Sequence, residues 1–149
     1  MYDTILVPTD GSSHADAAIE RALDLAEQYD GTLHALYVVD VSYPYADFET
    51  PTVNWEAVTE AMEGQGERAT ATVRERADER GVPVETTVRE ATTIHGTILD
   101  YADEQDVDLI VMGTRGRRGL DRYLLGSVTE KVVRLADVPV LTVKASKEE

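Results

Sequence analysis

The sequence predicts an α/β fold, an open five-stranded parallel sheet in the order 3-2-1-4-5 with helices on both faces. Short apolar runs alternate five times with segments that can form helices, and the connections are long enough for right-handed crossovers. The third run alternates in polarity, which favours an edge, whereas the first and fourth are apolar and belong near the middle. A length of 149 residues suits one domain, 1–149, and leaves no room for a second.

The first half of the chain is predicted to contain two strands and two helices. A turn from Asp10 to Ser13, with a serine as N-cap, separates the first strand from the first helix. A long loop from Val41 to Trp55 holds two prolines and four of the nine aromatic residues, and it precedes the second helix. The predicted elements are strands from Thr4 to Pro8 and Thr32 to Val39, and helices from Ala15 to Tyr29 and Glu56 to Arg80.

The second half is predicted to contain three strands and two helices. Gly64 and Gly66 weaken the prediction for the first third of the preceding helix, which Gly81 and Pro83 end. The predicted strands are Val84 to Arg89, Leu109 to Met112 and Val138 to Val143, and the predicted helices are Ile94 to Glu104 and Gly126 to Ala136.

The charge of the chain excludes several classes of partner. There are 29 acidic against 14 basic residues, a formal net charge of −15, which repels nucleic acids and anionic membrane surfaces. The absence of cysteine excludes disulfides and thiolate metal sites, and no apolar run is long enough to span a bilayer. We therefore expect a cytoplasmic protein with no nucleic-acid or membrane partner.

The composition also suits a salt-rich cytoplasm. Only three of the basic residues are lysines, and the acidic residues are spread along the whole chain. At about 1 M salt the Debye length is roughly 3 Å, so the self-repulsion of such a chain is largely screened. The sequence thus favours a halophilic protein, with an ordinary acidic bacterial protein as the alternative.

One loop is an exception to the acidic background. The stretch from Gly113 to Ser127 contains glycines at 113, 116, 119 and 126 and four of the 11 arginines, at 115, 117, 118 and 122. Glycines let backbone N–H groups approach a ligand, and the start of a helix at Gly126-Ser127 favours an anion. This pattern predicts a phosphate cradle; the alternative is that the glycines form turns and the arginines form surface ion pairs.

The predicted topology brings this loop to a ligand-binding position. In the 3-2-1-4-5 order the winding reverses between the first and fourth strands, and ligands of open α/β sheets bind beyond the carboxyl ends of strands at such a reversal. The two loops that meet there are Pro8 to Ser13 and Gly113 to Ser127. The chain has neither the Gly-Lys-Ser/Thr of a P-loop nor a G-x-G-x-x-G after a strand, so the cradle is of another kind.

The residues of this loop carry a resemblance. The pattern Gly113-x2-Gly116-x9-Gly126-Ser127 is similar to the ATP-binding signature of the universal stress protein family. The likeness extends to three further segments, Ile5 to Ser12, Tyr37 to Asp40 and Asp108 to Gly113, and so covers nearly the whole chain. It implies a Rossmann-like sheet in the same strand order, with ATP bound at the reversal.

The resemblance also implies which residues hold the ligand. The adenosine end would be lined by Pro8, Thr9 and Asp10, with backbone hydrogen bonds from Val38 to adenine. The pocket and the phosphates would be surrounded by Met112, Gly113, Gly116, Gly126, Ser127, Val128 and Thr129. Mg²⁺ would be held through phosphate oxygens and water. Two alternatives stay open: Asp10 could accept N–H groups of its own turn, and Ser127 could double as an N-cap.

These residues indicate a nucleotide-dependent stress-response sensor or regulator rather than a fast enzyme. The pattern contains no nucleophile with an activating partner and no carboxylate cage for a metal. The alternatives are slow ATP hydrolysis, self-phosphorylation on Ser127 or Thr129, and a nucleotide-free dimeric interaction module. The resemblance suggests a homodimer through the edge strand Val140 to Val143, and the three histidines, including His34, are expected to be structural.

Overall fold

Five parallel strands form one sheet in the order β3-β2-β1-β4-β5, which confirms the predicted topology. The computed structural model describes residues 1–41, 54–114 and 126–145. The strands are β1 (Thr4–Pro8), β2 (Thr32–Asp40), β3 (Val84–Ala91), β4 (Leu109–Gly113) and β5 (Val140–Val143). The helices are α1 (Asp16–Tyr29), α2 (Trp55–Glu79), α3 (Ile94–Glu104) and α4 (Ser127–Leu135), with a 3-10 turn (Ser13–Ala15) before α1.

Several predicted boundaries are wrong by one or two residues for local reasons. Trp55, expected in the long loop, is the first residue of α2, because the side chain of Asn54 accepts the N–H of Ala57 at 3.1 Å and caps the helix. The rest of that loop, 42–53, lies outside the described residues. β5 begins at Val140 rather than Val138.

The helices cover both faces of the sheet, and each face has its own core. Along β1, Ile5 and Val7 point to α1 and α2, whereas Leu6 points to α3 and α4. The same alternation in β2 and β4 leaves these strands almost without exposed side chains. The central position of β1 therefore agrees with its continuous apolar sequence. No helix in the described part of the chain is long and apolar enough to cross a membrane.

A buried polar cluster ties α3 to the edge of the sheet. Nδ1 of His34 on β2 lies 2.6 Å from the hydroxyl of Tyr101 on α3, and Nε2 lies 3.4 Å from the carboxylate of Glu85 on β3. Burial lowers the pKa of His34, and the charge of Glu85 partly opposes this effect. These contacts confirm the expectation that His34 is structural.

Arg76 on α2 and Arg80, the residue that caps its C-terminus, pair with the acidic face of α1. Arg80 lies 2.6 Å from Asp24 and 2.5 Å from Glu27, and Arg76 lies 3.3 Å from Glu20. The hydrogen bonds to Glu27 and Asp24 raise the pKa of Arg80 above its already high value. The charged surfaces of these two helices are therefore matched to each other.

The helix α2 contains two glycines with different surroundings. A Cβ atom at Gly66 would lie 2.7 Å from Cδ1 of Tyr37 and 3.1 Å from Cγ1 of Val88, so this helix approaches the sheet at Gly66. Among the described residues, a Cβ atom at Gly64 would meet only the guanidinium of Arg68, at 3.4 Å. Close packing explains the first glycine and not the second.

We expect opposite effects from alanine at these two positions. Gly64→Ala should raise the free energy of unfolding by up to about 1 kcal/mol, because alanine favours a helix interior. Gly66→Ala should lower it, because overpacking costs about 1–3 kcal/mol. Urea unfolding followed by circular dichroism in molar salt measures both. Equal stabilisation by the two variants would show that the contact with Tyr37 is not tight.

Candidate functional site

The turn after β1 is held by its own side chains. The N–H of Thr9 donates to the carbonyl of Leu36 at 2.9 Å, which extends the pairing with β2 by one residue. Asp10 Oδ1 then accepts the N–H of Ser12 at 2.9 Å and its hydroxyl at 2.5 Å. Gly11 has a φ of +78°, which favours glycine. Asp10 thus accepts hydrogen bonds from its own turn, as one of the two interpretations of the sequence proposed. Its contact with a ligand stays a prediction.

The same hydrogen bonds show that the predicted serine N-cap is wrong. Ser12 occupies the position before the 3-10 turn, but its side chain caps no N–H there. Its hydroxyl is instead engaged with Asp10. The sequence pattern Asp-Gly-Ser-Ser has two competing acceptors, and the carboxylate is the one that organises the turn.

The backbone of Val38 faces the space beyond the end of β1. Successive residues of β2 direct their N–H and C=O groups to opposite neighbours: Thr32 donates to Asp3 beside β1, and Leu33 donates to Pro83 beside β3. The backbone N–H and C=O groups of the even-numbered residues of β2 therefore point toward β1, as the carbonyl of Leu36 does when it accepts from the N–H of Thr9. The register ends at Pro8 opposite Leu36, so at Val38 the strand β1 has already turned away.

Hydrogen bonds join the end of β4 to the start of α4. The hydroxyl of Thr129 donates to the carbonyl of Gly113 at 2.9 Å, and the N–H of Gly126 donates to the carbonyl of Thr114 at 2.6 Å. Residues 115–125, with Gly116 and the four arginines predicted to form the cradle, lie outside the described residues. The two ends of that loop meet, so α4 begins directly beside the last residues of β4.

Within the described residues, the N–H groups of the first turn of α4 have no side-chain cap. Gly126 is the N-cap residue and offers no side-chain acceptor, and the first intrahelical bond runs from the N–H of Glu130 to the carbonyl of Gly126 at 2.9 Å. The N–H groups of Ser127, Val128 and Thr129 precede that bond and point out of the helix end. Ser127 is the first helical residue, so the alternative that it serves as N-cap is wrong.

The structure brings the described site residues together at the carboxyl ends of the strands. Their strands β2, β1 and β4 are neighbours, and the first turn of α4 lies beside β4. They differ in exposure: Ser127 is exposed, whereas Thr9, Met112 and Thr129 are 7%, 5% and 4% exposed. The residues at this end of the sheet are Pro8, Thr9, Asp10, Val38, Met112, Gly113, Gly126, Ser127, Val128 and Thr129.

The helix α2 forms a wall of this region that sequence analysis missed. A pocket of about 440 Å³ lies between the turn after β1 and α2, and is lined on the helix by Gln65, Arg68, Ala69 and Thr72. These four positions recur at helical spacing, so they share one face of α2. That spacing is the signal in the sequence, but only the packing of α2 on Tyr37 shows that the face turns toward Asp10.

The fold and the position of the site define a class of protein. The chain is an open α/β protein in which polar side chains, and N–H groups with no side-chain cap among the described residues, lie where the winding reverses between β1 and β4, the position at which such sheets bind ligands. The region can bind an anion at α4, and it offers a backbone donor and acceptor at Val38.

Comparisons with known proteins assign the family. The model of the universal stress protein family matches residues 1–144, and this chain belongs to that family. A universal stress protein of Methanocaldococcus jannaschii is 40% identical over 149 residues, which cover all of this chain and 86% of that protein.

Solved structures agree with the fold. A universal stress protein family member from Burkholderia pseudomallei superposes with a TM-score of 0.78 at 30% identity, over 95% of this chain and 96% of that one. A universal stress protein solved in complex with cAMP has a TM-score of 0.66 at 25% identity, over 97% of this chain and 98% of that one. The second of these relatives binds a nucleotide.

The hydroxyl of Thr129 offers a test of how α4 is held. Thr129→Val keeps the shape of the side chain but removes the donor to Gly113, and we expect the free energy of unfolding to fall by about 1–3 kcal/mol. Thr70→Val is the matched control, because Thr70 is equally buried but donates within its own helix, to Gly66 at 3.0 Å. Chemical denaturation of both variants measures the difference, and equal losses would contradict a special role of Thr129.

Proposed function

We propose that this chain is a single-domain universal stress protein, 1–149, that binds ATP at the reversal point and acts as a nucleotide-dependent regulator of a stress response. The observation that carries the proposal is the uncapped first turn of α4, held against the end of β4 by Thr129 and Gly126. The bound cAMP of a relative supports a nucleotide as the ligand class. The choice of ATP rests on the glycine pattern that ends in Gly126-Ser127.

The phosphates would lie at α4. The N–H groups of Ser127, Val128 and Thr129 supply three donors, and the helix dipole adds positive potential at the same end. Gly113 and Gly126 themselves carry no side chain that would block this approach. Because the chain carries a net charge of −15, an anion needs such a local site to bind at all.

The adenine would lie at Val38. The edge of an adenine ring presents an N–H₂ donor beside a ring nitrogen acceptor, which the C=O and N–H of one strand residue can match. Val38 directs both groups past the end of β1, where Pro8, Thr9 and Asp10 begin the turn. The ligand would then span from β2 across β1 to α4.

The site favours binding over fast turnover. Of the two candidate phosphate acceptors, Thr129 is buried and donates its hydroxyl to Gly113, whereas Ser127 is exposed at the helix start. Self-phosphorylation, the enzymatic alternative, would therefore fall on Ser127. Mg²⁺ would be held by the phosphates and water, since this divalent cation keeps most of its hydration shell in nucleotide sites.

We further propose that the protein works in a salt-rich cytoplasm. Screening of the acidic surface should make ATP affinity poor in dilute buffer and measurable in molar salt. The ion pairs of Arg76 and Arg80 with α1 do not offset the excess charge, because acidic residues outnumber basic ones by 29 to 14 in the whole chain.

The edge strand β5 is the surface through which we propose that two copies pair. Pro139 and Val143 accept hydrogen bonds from β4, so the odd-numbered residues face inward and Thr142 directs its N–H and C=O to the free edge. Leu141 on this strand is 37% exposed. An apolar edge strand is normally covered or paired, and a second copy can do both.

The phosphate site can be tested by adding one negative charge. Ser127→Asp places a carboxylate where the phosphates would bind, yet favours the helix start, so folding should persist while ATP affinity falls at least about tenfold, or 1.4 kcal/mol. Gln28→Glu adds the same charge on the exposed surface of α1 and should leave affinity unchanged. Calorimetric titration with Mg-ATP in molar salt measures both.

Two outcomes would overturn the proposal of ATP binding. One is the absence of heat and of a thermal shift when wild-type protein meets ATP in molar salt. The other is equal affinity in wild type and Ser127→Asp. Incubation with γ-labelled ATP separates the alternatives: label retained on wild type and lost in Ser127→Ala would indicate phosphotransfer, and steady phosphate release would indicate an ATPase.

The proposed dimer has its own test. Thr142→Pro removes an outward N–H that the β4 ladder does not use, whereas Thr142→Val keeps it. We expect sedimentation equilibrium in molar salt to give a dimer for wild type and Thr142→Val and a monomer for Thr142→Pro. A monomeric wild type would show that β5 is not a pairing edge.

A further inference from the structure

A second cleft lies at the end of the sheet opposite the candidate nucleotide site. It measures about 210 Å³ and opens between the end of α3, the start of β4 and the connection from α4 to β5. Its apolar lining includes Leu99, Val107, Ile110, Leu135 and Val138. Leu135 is 51% exposed, so part of this apolar surface faces solvent. Among the described residues the cleft is therefore a concave surface that is part apolar and part polar, with Leu135 as its most exposed apolar side chain.

Three carboxylates stand around this apolar lining. Asp103, Asp106 and Asp137 line the cleft, and all three are exposed. The ion pairs that join α1 to α2, and Arg89 to Glu104, use other carboxylates, and in the part of the chain that the structure describes no cation pairs with these three. Within residues 1–41, 54–114 and 126–145, negative charge here is thus left unmatched.

Two helix ends add to the negative potential. α3 ends at Glu104 and α4 ends at Leu135, and both ends border the cleft. The last carbonyl groups of a helix carry the negative end of its dipole and favour a cation. Asp106 follows α3 with a φ of +53°, which turns the chain back into β4 and keeps this end of α3 beside the lining residue Val107.

We propose that this cleft is a docking site for an arginine side chain, flanked by apolar residues, of a partner protein. The methylene groups of the arginine pack on Leu99 and Leu135, and its guanidinium meets Asp103 and Asp137. An anionic or purely apolar partner leaves these carboxylates unpaired or buries them, which is costly. An arginine covers both parts of the cleft with one side chain.

The chemistry selects arginine over the other cations. A guanidinium is weakly hydrated and offers five donors in a plane, so it can pair with carboxylates on both sides of a cleft, whereas an ammonium is a compact, strongly hydrated charge. In residues 1–41, 54–114 and 126–145 no group of three or more carboxylates or histidines lies close enough to hold a metal ion.

The experiment uses the full chain and a defined probe. The probe is a capped peptide, acetyl-Ala-Leu-Arg-Leu-Ala-amide, and its control carries neutral citrulline in place of arginine. Titration of ¹⁵N-labelled protein should shift amide signals around the cleft with the arginine peptide and at least about tenfold more weakly with citrulline, a difference of 1.4 kcal/mol. Signals at Ser127 and Val38 should stay unchanged, so the result is independent of ATP binding.

Variants locate the binding. Asp103→Asn and Asp137→Asn should each weaken the arginine peptide at least threefold, whereas Asp100→Asn, an exposed carboxylate on α3 outside the lining, should not. Shifts spread over the whole acidic surface, or equal weakening by Asp100→Asn, would overturn the proposal. Leu135→Ser should weaken the peptide and leave the sedimentation of the protein unchanged. A changed oligomeric state would assign the cleft to contact between copies and overturn it as well.

Discussion

The hydrogen bonds between the end of β4 and the start of α4 are the constraint on which the candidate site depends. Thr129 and Gly126 of the helix hold the carbonyls of Gly113 and Thr114, so the helix axis begins beside the sheet edge rather than at a distance from it. The N–H groups of the first turn of α4 therefore lie at the same end of the sheet as Val38 and the turn after β1. Without this attachment the site would consist of unrelated polar groups.

The same structure shows two ways of handling excess acid. Between α1 and α2, Arg76 and Arg80 neutralise the carboxylates that the packing brings together. Around the cleft at the far end of the sheet, the carboxylates have no such partners among the described residues. An acidic chain can thus be uniform in composition and still have surfaces of different electrostatic character. On one surface the carboxylates are paired with arginines of the same chain, and on the other they face solvent.

The strand order could be predicted from the sequence because a strand buried on both faces is apolar throughout, whereas an edge strand alternates in polarity. β1 and β4 are apolar throughout and central, and β3 alternates and lies at the edge. Contacts between distant segments could not be predicted: the fit of Gly66 against Tyr37, and the wall that α2 gives the pocket at Asp10, depend on how two elements meet. The two predictions of serine N-caps were wrong for a related reason. The hydroxyl of Ser12 donates to Asp10, and Gly126 occupies the N-cap position before Ser127.

The hydrogen bond from Gly126 to Thr114 also bears on how the protein can change over evolutionary time. It fixes Thr114 to Gly126, the two described residues on either side of positions 115–125, and the entropy of closing a loop depends only weakly on its length. Insertions, deletions or altered charge between Thr114 and Gly126 can therefore occur without moving β4 or α4. The residues that hold the candidate site together are therefore separate from the segment in which the sequence can vary, so one fold can be retained while that segment changes.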